Sequence, residues 1–252
     1  MAYPNLQLAL FSYAGLNEFT AESLLAERDY ASRVGAEFHY QRISNDALIP
    51  RSRSRGLSNF LSQTPLDVMV MVDHDIQWNV GDVFDIAAVA MQKQTLVGGL
   101  YSKRAKAGGW SSRVSVAGAF GFGVEGTLDC EYLATGFLAI PRAVALDIQA
   151  KLDIDGPIWR DNLGTLTAAN DWNAVWHHHA LSLGLIQEES ARYYDFFRCI
   201  RRRTVGDAHE YLSEDWSFSA RAKYCGHQLY ISTKPILVHH GKYGYTPTDG
   251  MG

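Results

Sequence analysis

The amino-acid sequence predicts an α/β fold in which a mostly parallel sheet is flanked by helices. Three observations predict this fold: short apolar runs that end in small or polar residues, segments of helical periodicity between those runs, and glycine or proline at the boundaries. Through residue 101 the segments follow the order β-α-β-α-β-α-β. Because crossover helices join the successive strands, this order implies parallel strands with right-handed connections.

Each element of this first part has its own signal. LQLALFSY (6–13) is an apolar run with a polar end, NEFTAESLLAERDYASRVG has helical periodicity and ends at a C-cap glycine, Gly35, and AEFHYQRI (36–43) alternates as a strand does. The next predicted elements are a helix over 52–63 followed by Pro65, the strand LDVMVMV, a helix over 80–92 and a strand over 95–101.

After residue 101 the alternation breaks. The glycine-rich segment 102–126 predicts a loop or β-ribbon, and the segment from Cys130 to Leu152 predicts a strand, a turn and a helix. Residues 153–190 carry no clear pattern. The last third predicts a helix closed by Gly226, strands in QLYIS and PILV, and a mobile tail from His239 onward. No linker or repeat is evident, so we expect one domain over 1–252, with a nucleotide-binding half (1–101) and an acceptor or catalytic half (102–252).

Composition narrows the class of protein. The 252 residues carry a net charge of -4 and a pI near 6.1, which argues against a generally basic surface for nucleic acid. Three cysteines without paired spacing suit a reducing compartment. The N-terminus lacks the features of a signal peptide, and no apolar run reaches the ~18 residues of a membrane span. We therefore expect a cytoplasmic protein.

Two carboxylates, Asp73 and Asp75, follow the predicted strand in the stretch DVMVMVDHDIQW. Ligands bind at the carboxyl ends of strands in parallel α/β sheets. Alternation along a strand would place Asp73 and Asp75 on one side and His74 on the other. Oxygen ligands suit Mg²⁺ or Mn²⁺, whose other positions phosphate oxygens can fill. The pattern thus fits a metal–diphosphate site, and it equally fits a solvated turn at the end of a strand.

Other segments surround this motif in an order that resembles a known family. SRSRGLSNFL precedes the strand and LVGGLYSKR follows it; EYLATGFLAIPR, SEDWSFSARAKYCGHQLYI and VHHGKYGY come later in the chain. Together they resemble the GT-A glycosyltransferases, especially the family 2-like enzymes of bacteria and phages, over roughly residues 5 to 245. The first glycine of the family's Gly-Thr-Gly-Phe segment is Ala134 in this chain.

The resemblance implies a GT-A (Rossmann-like) sheet with a smaller antiparallel, acceptor-side region, and a hexosyltransferase activity that uses a nucleotide sugar, UDP-linked by preference, with Mn²⁺ or Mg²⁺. It implies a metal site formed by Asp73, Asp75 and His239, and a catalytic base at Asp215 with Glu214 as the second choice. The implied donor-binding residues are Ser12, Tyr13, Ala14, Arg53, Asp73, Gly136 and Phe137. Some relatives of the phage-type members glycosylate hydroxymethylated DNA bases, so the acceptor is left open between a modified DNA base, a glycan and a small molecule.

Several alternatives stay open at this stage. Ser213 and the acidic pair after it also fit a helix N-cap, and a register shift would make His240 the metal ligand. The basic run Arg201–Arg203 fits a solvated face or a contact with phosphates. Two other functions are a nucleotidyltransferase, which should carry a glycine-rich basic loop after the first strand, and a non-catalytic sugar- or nucleic-acid-binding module on the same fold.

Overall fold

The structure is a computed structural model that describes residues 3–13, 15–105, 109–114, 121–154, 194–203, 209–241 and 243–250. Within these ranges the strands are β1 (Leu6–Ser12), β2 (Phe38–Ser44), β3 (Val68–Asp73), β4 (Ile76–Gln77), β5 (Val97–Gly99), β6 (Arg113–Val114), β7 (Thr127–Tyr132), β8 (Phe137–Pro141), β9 (Ile200–Arg203), β10 (His209–Leu212), β11 (Tyr230–Ser232), β12 (Val238–His240) and β13 (Gly244–Tyr245). The helices are α1 (Glu18–Val34), α2 (Ile49–Gln63), α3 (Asp82–Lys93), α4 (Arg142–Ile154) and α5 (Glu214–Tyr224), with a 3₁₀ turn at Pro247–Gly250.

The centre of the fold is an eight-stranded sheet with the order β2-β1-β3-β8-β5-β11-β7-β6. Strand β1 is parallel to β2 and β3, and β11 is parallel to β5. Strand β8 runs antiparallel to β3 and β5, and β7 runs antiparallel to β11 and β6. Six of the eight strands therefore point in one direction, and the predicted α/β fold with a mostly parallel sheet is confirmed. The next strand in the chain, β4, belongs to a separate small antiparallel sheet of strand order β13-β12-β4.

The central position of β3 in the sheet explains why its sequence is apolar without interruption. Met69 and Met71 face the cluster that contains Phe60 of α2, and the alternating valines of β3 face the cluster that contains Phe84 of α3. All these side chains are fully buried. Both faces of a central strand are covered by helices in an α/β sheet, so both sets of alternating positions must be apolar.

Helix α1 is bounded by the signals that the sequence contains. The Asn17 side chain accepts a hydrogen bond from Phe19 N at 3.0 Å, and Gly35 ends the helix in the left-handed region at φ 67°. Helix α2 begins at Ile49, three residues before the predicted start, with Pro50 in its first turn. Proline is well tolerated there because the first backbone N–H groups of a helix have no intrahelical acceptor.

Two predictions of the last third were wrong. The strand expected in PILV is β12, which begins only at Val238, beyond Pro235. The tail expected to be mobile instead forms β13 and the 3₁₀ turn, and Trp110 Nε1 donates to Pro247 O at 2.9 Å. Strand β13 pairs with the nearby β12, but the contacts that hold this region to the rest of the fold, from β4 and from Trp110, come from more than a hundred residues earlier in the chain, where no local pattern indicates them. None of the helices in the described ranges has the length and apolarity needed to cross a membrane. The division into one domain with two halves stays a prediction.

A fully buried carboxyl group, Glu27, connects α1 to the start of α3. Its Oε2 accepts hydrogen bonds from Gly81 N at 2.8 Å and from the Trp78 indole at 3.3 Å, whereas its buried Oε1 has no hydrogen-bond partner among the residues that the structure describes. Burial raises the pKa of Glu27 to about 7, because a charged carboxylate loses its hydration there. Burial also raises the pKa of the neighbouring Asp82 to about 6.

We expect Glu27→Gln to reduce the pH dependence of stability. The folded-state pKa of Glu27 lies above the ordinary value of 4.5. The contribution of Glu27 to the free energy of unfolding is therefore complete below pH 4.5 and is lost as the pH rises through about 7. Urea denaturation at several pH values measures this effect. As the pH rises through this window, the free energy of unfolding should fall by on the order of 3 kcal/mol less in the variant than in the wild type. Asp82 contributes the same trend to both proteins. The exposed Glu22→Gln on the same helix should follow the wild type, and parallel curves for all three proteins would contradict the prediction.

Candidate functional site

A cavity of about 280 Å³ opens where β1 and β3 end. Its lining residues are Phe11, Ser12, Tyr13, Asp46, Ala47, Ile49, Ser52, Arg53, Asp73, His74, Asp75, Arg104 and Glu214. The rim carries one neutral ion pair, in which Arg51 contacts both carboxylate oxygens of Asp46 at 2.8 to 3.2 Å. The cavity thus lies at the carboxyl ends of parallel strands, where α/β sheets bind ligands.

A buried arginine, Arg53 of α2, joins two carboxylates at the base of the cavity. It donates to Asp73 Oδ1 at 2.7 Å and to Glu214 Oε1 at 2.5 Å, and its side chain is only 4% exposed. Burial alone would lower the pKa of Arg53, but the charges of Asp73 and Glu214 outweigh burial and raise it. The sequence favoured Arg53 as a contact to the nucleotide. The structure gives it the two carboxylates as immediate partners.

A second arginine, Arg104, contacts the other aspartate of the motif. Its guanidinium forms an ion pair with Asp75 Oδ2 and its Nε donates to His239 Nε2 at 3.0 Å. His239 Nε2 also lies 3.8 Å from Asp75 Oδ2. Sequence reasoning missed Arg104, although it belongs to the LVGGLYSKR segment and follows β5, another strand that ends on this side.

The hydrogen bonds of His239 define its tautomer. Its Nδ1 lies 2.9 Å from the carbonyl oxygen of Ser102, which can only accept, so Nδ1 carries the proton and Nε2 keeps its lone pair. Burial lowers the pKa of His239, which favours this neutral form. The next residue, His240, faces the opposite way, where it stacks on Phe19 and contacts Gln77. Of the two candidate ligands, His239 is therefore the one directed toward Asp75.

Glycine is required at position 136 by close packing beside Asp73. A Cβ there would lie only 2.8 Å from Tyr101 Cζ and 3.1 Å from Asp73 Oδ2. The backbone of Gly136 accepts a hydrogen bond from Asp73 N at 3.0 Å and donates one to Tyr101 Oη at 2.9 Å. Phe137, the next residue, is fully buried in the core against Trp78 and does not line the cavity. The structure thus brings Gly136 to the site and places the side chain predicted to contact the donor in the core.

The two acidic residues at the start of α5 occupy different positions. Glu214 lines the cavity and is held by Arg53. Asp215 is not among the lining residues, and its Oδ1 accepts from Trp216 N at 2.8 Å and from the Ser213 hydroxyl. Burial raises the pKa of Asp215, with the charge of Glu214 acting in the same direction. The predicted N-terminal cluster of this helix is present, and only Glu214 reaches the cavity surface.

Only some of the remaining predicted residues line the cavity. Ser12 and Tyr13 line the cavity, and Ala14 lies outside the described residues. His74 was expected to face away but lines the cavity, because β3 ends at Asp73 and the alternation of a strand no longer applies in the turn that follows. Arg201 lies on β9, opposite Tyr211 of β10.

The possible metal donors of this cavity are Asp73, Asp75 and His239. Among the described residues, no group of three or more His, Cys, Asp or Glu side chains is placed to hold one. Arg53 pairs with Asp73, and Arg104 contacts both Asp75 and His239. Asp75 and His239 nevertheless supply a carboxylate oxygen and an unprotonated ring nitrogen 3.8 Å apart, and both are donor types that suit a cation such as Mn²⁺. The Ser102 carbonyl fixes the imidazole in the orientation that metal-binding histidines require.

Comparisons with known proteins support the fold. No protein-family model matches the chain, and no curated protein matches it. The crystal structure of A197 from STIV has a TM-score of 0.54 at 13% identity, covering 97% of this chain and 91% of that chain. The crystal structure of 4-diphosphocytidyl-2C-methyl-D-erythritolsynthase from Anaerococcus prevotii DSM 20548 has a TM-score of 0.32 at 10% identity, covering 69% and 83%. The first similarity shows a shared overall fold, whereas a TM-score as low as the second carries no argument. The GT-A family itself stays a resemblance.

We expect Arg53→Met to destabilise the protein strongly. The substitution leaves the carboxylates of Asp73 and Glu214 partly buried without their shared counter-charge, which costs on the order of 3–5 kcal/mol. Urea denaturation near neutral pH measures this loss. Arg55→Met, on the exposed side of the same helix, should change the free energy of unfolding by less than about 0.5 kcal/mol. Equal stability of the two variants would contradict the structural role of Arg53.

Proposed function

We propose that this protein is a metal-dependent glycosyltransferase that moves a sugar from a nucleotide sugar, UDP-linked by preference, to an acceptor hydroxyl. The observation that carries the proposal is the excess negative charge of the cavity. Apart from the neutral pair at its rim, the cavity presents three carboxylates, Asp73, Asp75 and Glu214, against two guanidiniums, Arg53 and Arg104. A divalent cation would offset this negative charge and help an anionic diphosphate to bind in the site.

The donor side of the proposal depends on the ends of β1 and β3. Asp75 and His239 would hold the cation, and Asp73 lies beside them at the end of β3. When bound, the cation would neutralise charge that develops on the leaving diphosphate. Tyr13 lines the cavity with 64% of its surface exposed, which suits stacking against a nucleotide base. Arg53 acts by holding Asp73 in place.

The acceptor side depends on the start of α5. A general base needs a carboxylate that is not neutralised by a cation and whose pKa is raised toward the working pH. Glu214 accepts a hydrogen bond from Arg53 at 2.5 Å, so the guanidinium already occupies its Oε1. Asp215 lies outside the lining of this cavity but is only partly covered, and burial raises its pKa. We propose that Asp215 takes the proton of an acceptor hydroxyl that binds beside Glu214. In this proposal Glu214 positions Arg53, and through it Asp73.

We expect Asp75→Asn to remove metal-dependent turnover while the protein stays folded. A Mn²⁺-dependent release of UDP from UDP-sugars should fall by roughly a hundredfold or more, because the leaving diphosphate loses its stabilising cation. The exposed Asp129→Asn serves as the control. Full activity of the wild type in a chelator would contradict the metal requirement. Release of pyrophosphate from nucleoside triphosphates, without turnover of any nucleotide sugar, would favour a nucleotidyltransferase instead.

The two carboxylates of α5 can be separated by their pH profiles. We expect Asp215→Asn to lower kcat by roughly a hundredfold to ten-thousandfold and to remove the acidic limb of the kcat/KM profile. Because the pKa of Asp215 is raised above the ordinary 3.8, that limb should lie at a higher pH than an ordinary aspartate would give. Glu214→Gln should keep the acidic limb. A profile that loses its limb only in Glu214→Gln would identify Glu214 as the base.

A further inference from the structure

Arg104 lies on a segment whose two ends are hydrogen-bonded to each other. Ser102 forms a bridge with Trp110, Lys103 N donates to Gly109 O at 3.0 Å, and Ser111 N donates to Tyr101 O at 3.1 Å. These bonds hold the two ends of the segment together where it leaves β5. The Arg104 side chain is therefore directed into the cavity from a defined starting point, although half of its surface is exposed.

The contacts of Arg104 use the same two atoms that a cation would need. Its guanidinium pairs with Asp75 Oδ2, and its Nε–H points at the lone pair of His239 Nε2. Gly241 leaves room for the side chain, since a Cβ there would lie 3.2 Å from Arg104 Cδ. Each ring nitrogen of a neutral histidine has at most one lone pair. His239 Nε2 thus cannot accept from Arg104 and coordinate a metal at the same time.

We infer that Arg104 is a built-in counter-cation that holds the Asp75–His239 pair and competes with the divalent cation for it. The inference rests on the cation site of the proposed function. Without a metal, the guanidinium balances the charge of Asp75. A divalent cation must displace Arg104 from both ligands before it binds. The apparent affinity for the cation is then lower than the intrinsic affinity by the fraction of molecules in which Arg104 has left.

The competition is tested by Mn²⁺ binding, measured by electron paramagnetic resonance of free Mn²⁺ with no donor present. Arg104→Gln removes the competing cation and should bind Mn²⁺ roughly tenfold more tightly than the wild type. Asp75→Asn should lose the site in both backgrounds. Lys103→Gln removes a neighbouring positive charge that is exposed on the adjacent residue, and it should change the affinity far less. Thermal melting shows that each variant is folded.

Each contrary result has a separate meaning. If Arg104→Gln binds Mn²⁺ no better than a wild type whose binding needs Asp75, the cation site stands and the competition is wrong. If Lys103→Gln gains as much affinity for Mn²⁺ as Arg104→Gln, the gain comes from removing any nearby positive charge. The direct contact of Arg104 is then not its cause. If no protein binds Mn²⁺ above the level of Asp75→Asn, the inference fails together with the metal requirement of the proposed function. Metal-free release of UDP would then decide whether the transferase proposal survives.

Discussion

The site depends on one buried interaction, the guanidinium of Arg53 between Asp73 and Glu214. These two carboxylates come from the end of β3 and the start of α5, which are separated by more than a hundred residues. Two partly buried carboxylates would repel one another and lose hydration, so neither element could keep its position without the shared cation. The bridge therefore joins the first third of the chain to the last and fixes where the proposed donor and acceptor sides meet.

The insertion of β8 into the sheet completes this arrangement. Because β8 runs antiparallel to β3, its beginning lies beside the end of β3, and Gly136 reaches the backbone of Asp73. The absence of a side chain at Gly136 lets the hydroxyl oxygen of Tyr101, which follows β5, approach and accept a hydrogen bond from Gly136 N. Tyr101 is buried beside Asp73, and this burial raises its pKa, so the hydroxyl stays neutral. The antiparallel position of β8 in the sheet thus determines how the residues around Asp73 pack.

The sequence predicted those features that local chemistry determines. The double-sided apolar run of β3, the caps of α1 and the position of Asp73 at a strand end follow from short-range patterns, and the structure contains them. The place of β8 between β3 and β5, by contrast, depends on pairing between residues about seventy positions apart, which no local period encodes. The position of His74 was wrong because strand alternation ends with the strand. Arg104 was missed because its partners, Asp75 and His239, are distant in sequence.

The two arginines of the cavity differ in the property that decides their roles. Arg53 is 4% exposed and bound at both of its terminal nitrogens, so moving it would leave two carboxylates without a counter-charge. Arg104 is 50% exposed and approaches the cavity from a surface segment, so water can solvate its guanidinium when it leaves. Arg53 is thus a permanent part of the fold, whereas in our inference a divalent cation can replace Arg104. The proposed cation site would need that difference, because in the proposal it alternates between an empty and a metal-loaded state.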